Sequence, residues 1–510
     1  MFKLIDQLNQ PSRYLRWMLI MLVAAGLATN TLAASAAKKP NIVYILVDNT
    51  GWGDFSVYGG TTPTPRIDQI ARDGIKLTNY TVQAECVPTR AAIMSARLPT
   101  RSGAIRVPPV RGMKYGLSPW EYTMAELFSD AGYQTALFGK WHLGDSDGRY
   151  PTDQGFDSWY GIANSSGEGG FTSSELFSDS GLPVPQIFSG QKGQAVKAIK
   201  PLDLKSKTYL DEEIAEKSAE YISSAASSDS PFFLYVGFTH THPPATLHPD
   251  FLDENGKATY EGVLREMDLR TGQILDAITR AGIEDNTIVV FSSDNATAPY
   301  GDLTTGSNGP FRGHFFNQPY EGSHRVAAIV KWPGNIPAGS VSDEMFTALD
   351  WMPTLAEMAG EQERIPADRP IDGINAADHL MGKQASSGRD QVIFHGLDGS
   401  LMSVKWRDFK VIFREMDERD KPIQTLAYPA LYNMKDDPAE SRNLTYWRIE
   451  DTWITAPVAK RIMNFKISEK IYPNIETGED FAGYNSLMTA FRRQMIKFKL
   501  GDNFPEEGVK

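Results

Sequence analysis

Apolar residues in this chain gather in short unbroken runs separated by helical stripes. Asn41 to Val47 reads NIVYILV, a run rich in β-branched side chains. That is the pattern of a strand buried on both faces of a parallel sheet. It ends in Asp48-Asn49, then Gly51 and Gly53. Thr123-Met124-Ala125-Glu126 reads as a capping box opening a helix that Gly132 closes. Gln134 to Phe138 predicts a strand delivering Lys140 and His142, and Phe232 to Phe238 another delivering His240 and His242. Leu264, Met267, Ile274 and Ile278 mark one helix face, closed by Gly282. Thr287 to Phe291 predicts a strand ending in Asp294-Asn295, and Val326 to Trp332 a further strand before Pro333-Gly334. Strands alternating with helices predict an α/β fold with a large, mostly parallel sheet sandwiched by helices. In such sheets the chemistry collects at the C-terminal ends of strands. Here those ends carry acidic, amide and imidazole side chains.

Near Asp372-Gly373 the pattern changes. Gln391 to His395, Leu401 to Trp406 and Lys410 to Phe413 predict short strands separated by turns, and residues 431–444 add another strand and a polar loop. A smaller C-terminal α+β region with an antiparallel sheet follows from this. The predicted division is 1–36, 37–384 and 385–510. Residues 446–510 are rich in aromatic and basic side chains and give no clear element.

The first segment reads as a cleavable signal peptide. Lys3, Arg13 and Arg16 precede the apolar run Met18 to Ala28, and Ala34-Ser35-Ala36 offers a cleavage site. The run is shorter than the roughly 20 residues that span a bilayer. A periplasmic or secreted protein is expected, with no stable membrane insertion after cleavage. Of the 510 residues 41% are hydrophobic, enough for a sizeable core, and the net charge of −12 argues against nucleic acid as a partner. An anionic ligand would need a local cluster of Lys, Arg, His or metal. The single cysteine, Cys86, excludes a disulfide within the chain. A lone thiol in an oxidising compartment is a liability unless buried or modified.

Residues 86–97 read CVPTRAAIMSAR. Pro88 suits a helix start, which places Cys86 just before a helix N-terminus, where free N–H groups and the dipole favour anions. Cys86-Val87-Pro88-Thr89-Arg90, with Arg97 seven residues beyond Arg90, resembles the sulfatase signature. The resemblance runs over roughly residues 40–445 and includes GKWHLG at 139–144, FTHTHPP at 238–244, SSDNA at 292–296 and YEGSHRVAAIVKWPG at 320–334.

This resemblance implies hydrolysis of aryl or saccharide sulfate monoesters. It implies that a formylglycine-generating maturation enzyme oxidises Cys86 to formylglycine. It also implies a divalent cation held by Asp48, Asn49, Asp294 and Asn295, with an oxygen of the residue-86 hydrate completing the shell. These are oxygen donors, suited to Ca2+ more than zinc. Arg90 would hold the hydrate, Asp294 would help remove its proton, and its hydroxyl would attack sulfur. Lys140 and His242 would bind sulfate oxygens, with His242 near the leaving group as acid. His142 would act on the remaining hydroxyl to release sulfate. Either His240 or His242 fits by spacing, and His242 is preferred because it lies just before the Pro243-Pro244 turn. His324 is expected to be structural.

The chain departs from the family in three places. Asn49 stands where a second aspartate is usual. Ala96 stands where Gly is usual, a change read as mild within a helix. The stretch FRGHFFNQPYEG at 311–322 lacks the family's Lys, leaving His314 as the nearest candidate for a substrate contact. Arg106, Arg111 and Lys114 suit either a pocket for an anionic saccharide or a solvated basic loop. The alternatives are a phosphonate monoester or phosphodiester hydrolase of the same superfamily, and a non-catalytic binder of sulfated glycans.

Overall fold

The strand Asn41–Val47 pairs in parallel with Phe232–Gly237 on one side and Thr287–Ser293 on the other. All seven of its residues are buried. Its alternate side chains enter two different cores. Ile42, Tyr44 and Leu46 face one, and Val43, Ile45 and Val47 the other. This explains why the run carries no polar alternation. The computed structural model describes residues 38–108, 112–298, 306–418 and 421–505. The predicted signal segment and Arg111 lie outside these residues.

Gln134–Lys140 and Ser158–Ile162 extend the parallel region. The large sheet has ten strands. The capping box is formed, with Thr123 Oγ1 accepting from Glu126 N–H at 3.0 Å and Glu126 Oε2 accepting from Thr123 N–H at 2.7 Å. The helices Leu204–Ala225 and Tyr260–Arg280 bury their apolar faces in the core under Val43 and Ile45. Cys86–Ser95, Met124–Asp130 and Trp351–Met358 cover the opposite face. The expected strand at 326–332 shortens to Ala328–Lys331 and runs antiparallel to Thr287–Ser293. A parallel return needs a crossover of a dozen or more residues, usually a helix. The described part of this link carries only the short helix Glu321–His324.

Gln391–His395, Leu401–Trp406, Phe409–Glu415 and Gln424–Asn433 form a separate four-stranded antiparallel sheet in sequential order. A buried charge cluster ties it to the main sheet. Lys405 Nζ lies 2.9 Å from Glu321 Oε2, and Lys410 Nζ bridges Glu321 at 3.3 Å and Glu440 at 3.1 Å. The region 446–510 contains the helices Thr455–Ile471 and Ser486–Leu500. Between them Phe481 and Tyr484 pack edge-on against Trp120, and Arg149 donates to the carbonyls of Gly478 and Glu479. No helix among the described residues is long and apolar enough to cross a membrane.

His324 is structural, as expected. Its Nδ1 lies 3.0 Å from Val82 O, and its ring packs on Phe394. Burial, reinforced by Lys410, pushes its pKa down to about 3. The folded state therefore keeps His324 neutral while the unfolded chain protonates it below about pH 6.5. Its stabilising contribution is whole above that pH and is lost as pH falls toward 3. Urea unfolding at pH 7 and pH 5 should show His324→Phe losing about 2 kcal/mol less than the wild type over that interval. Equal losses would contradict the assignment.

Candidate active site

Four adjacent strand ends and one helix start converge. Asp48 follows Asn41–Val47, and Asp294 follows Thr287–Ser293. Lys140 ends Gln134–Lys140, and the segment 238–244 follows Phe232–Gly237. Backbone bonds stitch the ends together: Asp48 N–H donates to His240 O at 2.8 Å, and Asp294 N–H to Val47 O at 3.0 Å. Opposite them, the helix Cys86–Ser95 begins at Cys86 itself, two residues before the Pro88 start that was expected. Gly237 permits the close approach. A Cβ there would lie 2.5 Å from Lys140 O and 3.3 Å from Arg90 Nη1.

The side chains form a closed charge network. Lys140 Nζ donates to Asp48 Oδ2 at 2.6 Å. Arg90 Nε donates to Asp294 Oδ2 at 2.9 Å, and its Nη1 to Lys140 O at 2.7 Å. Arg90, Lys140, Asp48 and Asp294 are all buried. Burial alone would raise Asp48, but Lys140, His242 and Arg90 hold it below the ordinary carboxylate range. Asp294 goes the other way, raised by burial and by the Asp48 charge. Burial, with those two carboxylates, pushes the Cys86 thiol far up, so it stays protonated.

Ligand atoms of Asp48, Cys86 and Asp294 lie within 4.8 Å of one another. Asp48 Oδ1 and Asn295 Oδ1 are buried with no hydrogen-bond partner. Asn295 Nδ2 donates to Asn49 Oδ1. Turning that amide would set two oxygens face to face, an arrangement that a cation between them stabilises. Asn49 has φ of 59°, a left-handed conformation that Asn tolerates, and its N–H reaches Asp294 Oδ1 at 3.3 Å. The donor set and its orphaned oxygens fit a hard divalent cation.

The two histidines after Phe232–Gly237 separate, because the strand ends before them. His240 Nε2 lies 3.0 Å from Glu266 Oε2, and its N–H donates to Asp211. Its pKa is raised: the two carboxylates, Asp211 before Glu266, outweigh burial. His242 Nδ1 lies 2.6 Å from Pro243 O and must donate to it, leaving Nε2 to accept from the Ser165 hydroxyl at 3.1 Å. Burial pushes His242 down to about 4, and among nearby charges Asp48 opposes while Lys140 and Lys207 assist. His142 is buried at φ 62°, its N–H on Ala163 O at 2.9 Å and its ring edge-on to Tyr115.

Lys207 was not foreseen. It sits on a helix whose sequence, LKSKTYLDEEIAEK, reads as solvated, yet it is buried and its Nζ donates to His242 O at 3.0 Å. Burial lowers it to about 8. Removing this cation favours the protonated imidazole. Lys207→Met should therefore move the pH–rate limb belonging to His242 upward, and Lys207→Arg should not. An unmoved limb in Lys207→Met would remove Lys207 from the account.

His314 Nδ1 lies 2.9 Å from Phe315 O. Its neighbours Phe315 and Phe316 pack with Ala298, Met402 and Met416 as an apolar wall. Ala96 is not within the helix. It is the C-cap at φ 54°, a conformation that favours Gly. Arg97 is buried against Glu121 and Tyr484. Arg106 is exposed, and Lys114 pairs with Asp480 near the tail.

A parallel sheet whose strand ends gather paired carboxylates, two cations and a buried helix-start cysteine defines a hydrolase-type anion site. Residues 40–361 match the sulfatase family, and residues 313–467 match the N-sulphoglucosamine sulphohydrolase C-terminal family. Arylsulfatase G of Rattus norvegicus is 31% identical over 452 residues, covering 80% of this chain and 83% of that protein. N-acetylgalactosamine-6-sulfatase of Canis lupus familiaris is 32% identical over 407 residues, covering 78% and 75%. The PsFucS1 sulfatase from Pseudoalteromonas sp. superimposes with a TM-score of 0.77 at 28% identity, covering 88% of this chain and 94% of that one. The chain belongs to the sulfatase family and is a sulfuric ester hydrolase.

Proposed function

We propose that this enzyme hydrolyses saccharide sulfate monoesters with formylglycine at position 86 and a calcium ion held by Asp48, Asn49, Asp294 and Asn295. The observation that carries this reading is a buried Cys86 inside the carboxylate and cation network. Burial, with Asp48 and Asp294, holds the Cys86 thiol well above its ordinary range, and a protonated, buried thiol is a poor nucleophile, which supports the reading that residue 86 acts in a modified form. A sulfated saccharide fits the similarity to N-acetylgalactosamine-6-sulfatase. Export and a maturation enzyme that oxidises Cys86 follow from the same reading.

Local charge supports it as well. Two carboxylates, Asp48 and Asp294, are balanced by Lys140 and Arg90. A divalent cation tips the site positive, as an anionic ester requires. When present, the cation supplies charge against the ester oxygens and the formylglycine hydrate supplies the attacking hydroxyl. The remaining work belongs to side chains in place. Arg90 fixes Asp294 and braces the Lys140 carbonyl. Lys140 holds sulfate oxygens. His242 is neutral in the resting enzyme, gains a proton when the anion arrives, and delivers it to the leaving alcohol. His142 takes the proton whose loss frees sulfate. His314 contacts the substrate at the edge of the Phe315-Phe316 wall.

Turnover of 4-nitrophenyl sulfate set beside matched phosphonate and phosphodiester substrates tests the reaction class. Faster turnover of the phosphorus esters would overturn it. Chelation should remove both bound metal and activity, and calcium should restore them better than zinc. Asn49→Asp should tighten calcium by adding a charge. Full metal content in Asp294→Ala would refute the ligand set.

A further inference from the structure

The tail helix Ser486–Leu500 turns its apolar residues in two directions. Ile496 and Leu500 pack inward with Ile467, Ile471 and Phe504. Leu487, Phe491 and Phe498 point the other way. At 3.6 residues per turn they fall within about 40° of one another and roughly opposite Ile496. Phe498 is 86% exposed, Leu487 80% and Phe491 56%. Met488 and Met495, also exposed, widen the row on one side. A helix of 15 residues presents such a row over about 22 Å. Scattered exposed apolar side chains are ordinary, but five aligned on one helix make a surface for association.

Charge selects the partner. The helix reads SLMTAFRRQMIKFKL, with Arg492, Arg493, Lys497 and Lys499 and no Asp or Glu, on a chain whose net charge is −12. By helical spacing Arg492 and Lys499 border the row on the methionine side, and Gln494 and Lys497 follow on the other. An isologous contact between two copies would set the row against itself and bring these cations together. A saccharide chain needs hydrogen-bond partners, which Leu, Met and Phe do not supply. A convex apolar row edged by cations suits a lipid surface, with the apolar side chains among the acyl chains and the cations at the phosphates. We infer that Ser486–Leu500 docks the enzyme on an anionic lipid bilayer, lying in the interface and not spanning it. The acidic remainder of the chain is repelled by the same surface, which favours contact through this helix.

The test is flotation of the enzyme with two kinds of vesicle, phosphatidylcholine alone and phosphatidylcholine mixed with phosphatidylglycerol. Binding to the anionic vesicles should be at least about tenfold tighter than to the neutral ones. It should weaken as salt rises from about 0.1 M to about 1 M. Phe491→Ser with Phe498→Ser, and separately Arg492→Glu with Lys499→Glu, should each weaken it about tenfold. None of these side chains is buried, so the thermal unfolding midpoint of each variant should stay within about 2 °C of the wild type. Wild-type protein that ignores anionic vesicles, or binds both kinds equally, would overturn the inference, and that comparison does not depend on the variants. So would binding unmoved by both pairs of substitutions. A dimer in solution that Phe491→Ser with Phe498→Ser converts to monomer would also overturn it, since a second copy would then cover the row.

Discussion

Cys86→Ala should abolish turnover of sulfate esters while leaving the fold intact. Position 86 begins a helix, and its side chain is buried beside Asp48 and Asp294. Alanine suits a helix and fills most of the space, so the expected stability change is small. The chemical loss is large. Removing a nucleophile from a site whose groups act as a unit typically costs about 10⁴–10⁶-fold. The neighbouring Lys140–Asp48 and Arg90–Asp294 pairs do not depend on the sulfur and should persist. Substrate binding should therefore survive. Sulfate release and calorimetric binding on the same preparation separate the two effects. Residual turnover within tenfold of wild type would end the nucleophile assignment.

Glu321→Ala should destabilise the protein by about 3–5 kcal/mol, the cost of leaving buried charges unpaired. Glu321 lies in the YEGSHR segment, and its fully buried carboxylate meets Lys405, Lys410 and Arg325. Burial alone would raise its pKa, but Lys405, Arg325 and Lys410 hold it well below the usual range. Glu440 supports the cluster, accepting from Glu321 N–H at 2.7 Å. Because Lys405 and Lys410 come from the antiparallel sheet, the cluster joins that sheet to the main one. The test is guanidinium unfolding of the single and double variants. Glu321→Ala with Lys405→Met should cost less than Glu321→Ala alone, since a stranded cation goes with its partner. An additive double variant would mean the pair is not coupled.

Much of the site was legible because its residues follow strands buried on both faces. Such strands announce themselves as unbroken apolar runs, and the polar residues at or just past their ends, Asp48, Lys140 and Asp294, fall at the sheet's working edge. Harder features depended on tertiary context. The antiparallel direction of Ala328–Lys331 is set by its connection, not by its composition. The separation of His240 from His242 follows from where the strand stops and from Glu266 on another helix. Lys207 lies one turn before Leu210 on the buried face of its helix, a placement that a lysine in a Lys- and Glu-rich segment does not announce. The tail 446–510 lacks a clear inward apolar stripe. Its order comes from Trp120, Arg97 and Arg149, which lie hundreds of residues away. Ala96 was misplaced by a helix end that no local Gly marks.

The central claim is that residue 86 works as an aldehyde hydrate and not as a thiol. Mass spectrometry of the peptide carrying residue 86, from protein shown to release sulfate from 4-nitrophenyl sulfate, tests it most directly. The expected spectrum has an aldehyde in place of the thiol, in a fraction that rises with specific activity across preparations. Fully active protein carrying only the unmodified Cys86 thiol would contradict it.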